Sequence, residues 1–196
     1  MAEATTIDRR RELVRAAIRV FARKGFHAAR VGDIAEEAGV AHGLLYHYFR
    51  SKEDVLETIF RETWTRLVEQ AHRIEESGAP LPEQIRRFAA VFLGSWLTTP
   101  SLVRVVVREV GRSPHVGERV GELREVLLSL SRMIEAAQAR GEVRANVDSL
   151  LATWVLYGAL EEILTGWVLG QLPGEKEDVE RAVASVVDVF AVGFAA

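Results

Sequence analysis

A chain of 196 residues that is 48% hydrophobic and 27% charged, with 15 Gly and 5 Pro, has the composition of one or two folded domains, which excludes disordered and fibrous classes. Cysteine is absent, so disulfide scaffolds, Cys-ligated zinc and thiol nucleophiles are excluded too. The formal charge of −3 hides an asymmetry: residues 1–52 hold ten Lys or Arg against six Asp or Glu, a net of +4, while residues 53–196 hold fifteen against twenty-two, a net of −7. A small basic module on an acidic body is the charge layout of a polyanion binder.

Apolar residues recur at helical spacing almost throughout and no short run alternates cleanly, so the expected fold is all-α, with about nine helices. The opening segment has no apolar core of a secretory signal, which points to a cytoplasmic protein. The first helix is predicted from about Asp8 to Lys24, with Leu13, Ala17, Val20 and Phe21 on one face and Arg9, Arg10, Arg11, Arg15 and Arg19 mostly on the other, ended by Gly25. A second covers about Val31 to Ala38 and ends at Gly39; a third runs from Ala41 or His42 to Phe49. Two short helices around a Gly-containing turn read as a helix-turn-helix over about residues 30–49.

Ser51 opens an S-K-E-D capping pattern, so a fourth helix starts at Lys52 and continues to about Glu76. Residues 77–82, S-G-A-P-L-P, are the clearest break. Further helices are predicted at about Pro82–Leu97, Ser101–Val110, His115–Arg140, Val147–Leu169 and Glu175–Phe194, and no segment repeats. The most apolar stretch, from Leu150 to Gly170, carries Glu161 and Glu162 at its middle, and the last fifteen residues are too short for a membrane span, so no membrane partner is expected. The chain divides into a basic N-terminal domain, 1–52, and an acidic helical domain, 53–196, with the fourth helix packing on the first and touching the second.

A helix-turn-helix reads DNA by laying its second helix in the major groove while flanking helix ends hold phosphates. That helix here, A-H-G-L-L-Y-H-Y-F, buries Leu45 and Phe49 and turns His42, Gly43, Leu44, Tyr46 and His47 outward, with Tyr46 and Tyr48 adding hydroxyls. Arg30, beside Val31 at the start of the second helix, and Lys52, at the start of the fourth, stand where the positive end of a helix dipole already favours phosphate. A metal role for His42 and His47 fails because they stand five residues apart with no third ligand nearby.

The stretch from Asp8 to Leu56, above all V-G-D-I-A-E-E-A-G-V-A-H-G-L-L-Y-H-Y-F-R-S-K-E-D-V-L, resembles the DNA-binding domain of the TetR family of bacterial repressors. The resemblance implies that Tyr46 and Lys52 grip phosphates, that His42, Gly43, Leu44 and His47 sit near bases, and that Arg30 and Val31 open the second helix against the backbone. The family pattern favours Ser or Thr at several positions where this chain has Arg30, Val31, Ala41 and Leu44, so fewer hydroxyls face the DNA, and Leu44 is placed instead for a thymine methyl.

One recognition helix reads too few base pairs, so such modules act as two-fold dimers on palindromic double-stranded operators. The last two helices are expected to form that homodimer, through Trp154, Val155, Tyr157, Gly158, Leu160, Ile163 and Leu164 on one and Val183, Val186, Val187, Phe190 and Phe194 on the other. The resemblance also implies an effector pocket in the helical body, for which the candidate apolar lining is Trp64, Phe88, Phe92, Trp96, Val103, Val107, Met133, Trp154, Tyr157 and Trp167, suited to a lipophilic small molecule.

Arg104, Arg108 and Arg112 recur at steps of four, with Arg86 and Arg87 on the preceding helix, and cations at the mouth of an apolar chamber suit a phosphate-bearing acyl chain. The competing reading pairs these arginines with Glu109, Glu118, Glu122 and Glu125 as a solvated face. Residues 108–123 and the segment G-A-L-E-E-I-L-T-G-W-V-L further resemble the fatty-acid-degradation repressors within the TetR family, which implies release from DNA by long-chain acyl-CoA. Glu161 points a second way, as a cation-recognition group for a cationic or aromatic drug-like ligand. An enzyme acting on acyl thioesters fares worst, because His27, His42, His47, His72 and His115 include no acid-base pair at a recognisable spacing. No cofactor and no metal is expected.

Overall fold

The computed structural model describes residues 2–110 and 120–194. Its elements in chain order are α1 (Ala2–Lys24), α2 (Val31–Glu37), α3 (His42–Tyr48), α4 (Lys52–Glu76), α5 (Leu81–Thr98), α6 (Pro100–Val110), α7 (Val120–Ala139), α8 (Ser149–Val168) and α9 (Lys176–Phe194). The described residues therefore form the all-α architecture that the apolar spacing predicts, with each helix end within a few residues of its punctuation, except that α1 begins six residues before Asp8. The predicted start of α7 at His115 lies outside the described residues.

The boundaries follow from local chemistry. Gly25 and Gly39 hold φ values of 78° and 66°, the left-handed conformation that costs glycine least, and they end α1 and close the turn after α2. At the start of α4 the Asp54 amide donates to Ser51 Oγ at 3.3 Å and the Arg50 amide to Asp54 Oδ2 at 3.0 Å, so the capping pattern closes one residue further back than an ideal box. Asp148 caps α8, its Oδ1 accepting from the Leu151 amide at 2.9 Å.

The helices form two compact units. The first comprises residues 2–63 together with 101–110; the second comprises 64–100 and 120–194. The first unit extends eleven residues beyond the predicted boundary at Lys52 because Val55, Leu56, Thr58, Ile59 and Phe60 bury their side chains. Arg10 fastens α1 to that stretch: its guanidinium donates to Glu62 Oε1 and Thr58 Oγ1, each at 3.2 Å, and lies 5.0 Å from the centre of the Phe49 ring.

In the second unit α5 packs against α9 and α7 against α8, with α8 also meeting α5 and α9. The C-terminal half of α4 joins α7 through an ionic cluster: Arg132 donates to both Glu75 oxygens at 2.6 and 3.0 Å and to Glu125 Oε1 at 3.1 Å, Ser129 donates to Glu75 Oε2 at 2.7 Å, and His72 Nε2 lies 3.0 Å from Glu125 Oε1. Hydrogen bonds from Arg132 hold the Glu75 carboxyl below its usual range, and those from His72 and Arg132 do the same for Glu125.

A carboxylate whose folded pKa is depressed stabilises the fold fully above its ordinary pKa, and that contribution is lost as pH falls through the lowered value. Glu75→Gln should therefore flatten the acid limb of the stability curve below the ordinary glutamate value of 4.5, which melting temperatures taken from about pH 6 to about pH 3 would show. An unchanged acid limb would mean the cluster adds nothing to stability.

Candidate nucleic-acid interface and effector site

The first unit presents α3 on a platform made by α1 and α2. Leu45 and Phe49 bury into that platform while His42, Gly43, Tyr46 and His47 stay exposed, Tyr46 by 54%. Leu44 and Tyr48 are half-buried, so these two predicted contact residues present only part of their surface. The His42 ring lies over the first turn of α2, where a Cβ on Gly32 would meet its Cδ2 at 3.4 Å, and stands 5.7 Å from the Tyr46 ring. His47 and Tyr48 meet edge to face at 5.0 Å. The outer face of α3 is thus a row of aromatic and imidazole groups fixed by mutual packing.

Arg30 is exposed at the N-cap of α2, with Val31 half-buried behind it. Its backbone amide donates to Asp33 Oδ2 at 2.8 Å, and Lys24 Nζ reaches Asp33 Oδ1 at 2.8 Å; these two bonds hold the Asp33 carboxyl below its usual range. Glu37, one turn on, takes Arg19 at 2.7 Å and Arg23 at 3.0 Å, and its carboxyl is lowered by both. Much of the basic charge on α1 is therefore paired with acids on α2.

Lys52 has partners that sequence reasoning did not foresee. Its ammonium donates to the carbonyls of Phe26, His27 and Ala29 at 3.0, 3.1 and 3.1 Å and lies 4.7 Å from the centre of the Phe26 ring. All three N–H donors are directed at the turn between α1 and α2, which ties the start of α4 to it. α6 reaches the end of α1 and the turn beyond it: Arg108 Nη1 donates to the Ala22 carbonyl in the last turn of α1 at 3.2 Å, and the buried Glu109 carboxylate stands 3.9 Å from His27 Nε2. Val103, Arg104, Val107 and Arg108, predicted with the ligand-binding body, thus belong to the first unit. Arg112 lies outside the described residues.

The remaining candidates lie in the second unit. Phe88, Met133, Trp64, Tyr157 and Trp167 are buried, while Phe92 and Trp96 are half-buried. Phe92 links Phe88 at 6.0 Å to the edge of Tyr157 at 5.7 Å, and Trp96 stacks on Trp167 at 6.2 Å while its Nε1 donates to the Gly174 carbonyl at 3.0 Å. An aromatic layer therefore fills the contact between α5 and α8. Glu161 is half-buried, and burial together with the charge of exposed Glu162 pushes its carboxyl up.

Three expectations change in this unit. Trp154 is 51% exposed and belongs with Leu151 and Val155 on an outward face of α8, since 100° per residue separates that face from the one carrying Tyr157, Leu160 and Leu164. The α9 stripe of Val183, Val186, Val187 and Phe190 is buried inside the subunit, where α9 packs on α5 and α8, so it is core and not a free surface. Arg86 and Arg87 both pair with Glu83, at 3.8 and 2.8 Å, an acid on their own helix and not one of the four acids expected for them.

A helix-turn-helix head with an exposed aromatic recognition helix, joined to a separate helical unit, defines a DNA-binding regulator. Residues 13–59 match the family described as "Bacterial regulatory proteins, tetR family", and residues 81–196 match "AefR-like transcriptional repressor, C-terminal domain". The chain belongs to the TetR family and is a transcriptional repressor of that type.

It is 26% identical over 184 residues to the fatty acid metabolism regulator protein of Bacillus subtilis, covering 93% of each chain. Its fold is similar to that of the fatty acid degradation regulator FadR from Bacillus halodurans, with a TM-score of 0.80 and 27% identity over 94% of this chain and 95% of that one. It is also similar to FadR from Bacillus subtilis in complex with stearoyl-CoA, with a TM-score of 0.77 and 26% identity over 93% and 98% of the two chains. Among the described residues no single helix is long and apolar enough to cross a membrane.

Proposed function

We propose that this repressor binds a palindromic operator as a homodimer in the cytoplasm and is released by a long-chain acyl-CoA, so that genes of fatty-acid degradation are expressed when their substrate is present. The observation that carries the effector assignment is the likeness, over nearly the whole of both chains, to a regulator that holds stearoyl-CoA. The aromatic layer of Phe88, Phe92, Trp96, Tyr157 and Trp167 supports it, being a large apolar surface suited to an acyl chain. Dimerisation uses the outward face of α8 together with the exposed side of α9 that carries Val189, away from its buried stripe.

On the DNA, Arg30 and Tyr46 meet phosphates at the ends of α2 and α3, His42, Gly43, Leu44 and His47 approach base edges, and Val31 and Tyr48 back them. Lys52 shapes this surface by holding the α1–α2 turn through its three carbonyl bonds. Effector occupancy is transmitted to the head through α4, which is continuous from one unit into the other.

Saturating dodecanoyl-CoA should weaken operator binding by at least about tenfold, a coupling of about 1.4 kcal/mol, in a fluorescence-anisotropy titration. Unchanged operator affinity with bound dodecanoyl-CoA would remove the release mechanism. The half-buried Glu161 beside Tyr157 favours a second reading, recognition of a lipophilic cation. Release by a quaternary ammonium amphiphile and not by dodecanoyl-CoA would select it.

A further inference from the structure

Along α8, four polar residues recur at steps of four: Thr153, Tyr157, Glu161 and Thr165. Each step of four advances about 40° around a helix, so such a series winds slowly across its surface. Here it winds from interior to exterior: Thr153 and Tyr157 are buried, whereas Glu161 and Thr165 are half-buried. The neighbours between them are almost all apolar, so the series is a polar track laid into an apolar helix.

Thr153 is the anomalous member. Its side chain is 0% exposed, and its hydroxyl has no hydrogen-bond partner among the described residues. A threonine inside a helix has a local remedy, donation to the carbonyl one turn back, and Thr63 takes it with Ile59 at 2.7 Å. Gln84 Oε1 is also buried without a partner, but the Gln84 amide already serves the fold by donating to the Ile74 carbonyl at 3.1 Å. The polar atom of Thr153 has no such employment, and a buried hydroxyl left unpaired costs free energy that a partner would return.

Residues four apart on a helix bring their Cβ atoms to within about 5–6 Å, so Thr153 and Tyr157 stand one turn apart on the same inward side of α8. The Tyr157 ring is held by its edge contact with Phe92 at 5.7 Å. Burial, and then the nearby Glu161 carboxylate, raise the phenol well above its ordinary range, so it stays a donor.

We infer that Thr153 and Tyr157 donate hydrogen bonds to a single carbonyl oxygen of the effector, which has two lone pairs to accept them. Resting on the acyl-CoA reading, this makes the thioester carbonyl a recognised group and not merely the link between an acyl tail and its nucleotide. The effector class is then a fatty acyl thioester, as distinct from any long hydrocarbon carried on coenzyme A.

The test compares dodecanoyl-CoA with dodecyl-CoA, a thioether of equal chain length that lacks the carbonyl, by isothermal titration calorimetry on the full chain. The wild type should bind the thioester at least about tenfold more tightly. Thr153→Val and Tyr157→Phe should each reduce or abolish that preference by weakening thioester binding alone, while Thr153→Ser, which keeps the donor, should retain it.

Thr153→Val should also raise the melting temperature of the unliganded protein by about 2–6 °C, because it removes an unpaired buried hydroxyl at nearly constant volume. A merely structural threonine would not change the thioester preference. Equal binding of the two ligands by the wild type, or an intact preference in Thr153→Val, would overturn the inference and leave the acyl-CoA reading standing. Binding of neither ligand would overturn both.

Discussion

Val155→Arg is expected to split the proposed homodimer and abolish specific operator binding. Val155 is 63% exposed in the single subunit and lies beside Leu151 and Trp154 on the outward face of α8, so an arginine there finds solvent and leaves the subunit folded. In a two-fold assembly that buries this face, the same substitution places two unpaired guanidinium groups in an apolar interface, at a cost of several kcal/mol each.

Sedimentation velocity should show a monomer, and operator affinity should fall by more than about a hundredfold because the two half-sites are no longer bound as a unit. The melting profile of the monomer should still be cooperative. A dimer with full operator affinity would show that another surface makes the assembly.

The second large effect separates two residues that the family resemblance treats alike. Tyr46 is exposed on α3, so Tyr46→Ala should weaken operator binding by about ten- to a hundredfold, the usual range for a lost contact to DNA, without a change in melting temperature. Lys52→Ala should instead lower the stability of the head by about 1.5–3 kcal/mol, because three carbonyls of the α1–α2 turn lose a charged donor. Thermal melts and anisotropy titrations on both variants check the contrast. A Lys52→Ala protein of wild-type stability whose salt dependence of operator binding is reduced by about one phosphate contact would return Lys52 to the phosphate-gripping role.

Helix positions were readable from the sequence because their ends carry their own chemistry. Gly25, Gly39, the Ser51–Asp54 cap and the break at residues 77–82 act within a few residues of where they stand, and the observed ends of α2, α3 and α4 follow them. Tertiary partnership was less legible. The α9 stripe has the same period whether it faces a sister subunit or α5, and only packing decides that it is internal.

Lys52 and Arg10 show the same limit. A cation beside a DNA-reading helix has a phosphate as its obvious partner in sequence, while the carbonyls of residues 26–29 and the acid at Glu62 are brought to them only by the fold. Likewise nothing in the valine-rich pattern of α6 announces that Arg108 ends on the last turn of α1. Of the polar residues on α8 only Tyr157, Glu161 and Glu162 stand out in the sequence; Thr153 does not, because its unpartnered state depends on the neighbours that surround it.

The pairing of Arg19 and Arg23 with Glu37, and of Lys24 with Asp33, bears on how the repressor behaves among genomic sequences that are not its target. The paired acids neutralise part of the charge that a random duplex would draw on, so fewer counterions should be released than the ten basic residues of the head would allow. With operator recognition resting on the aromatic face of α3, as proposed, loose association with bulk chromosome should be weakened more than specific binding, which salt titrations on random and operator duplexes would show. On that expectation the acids of α2 shorten the protein's stay at wrong addresses and hasten its search for the right one.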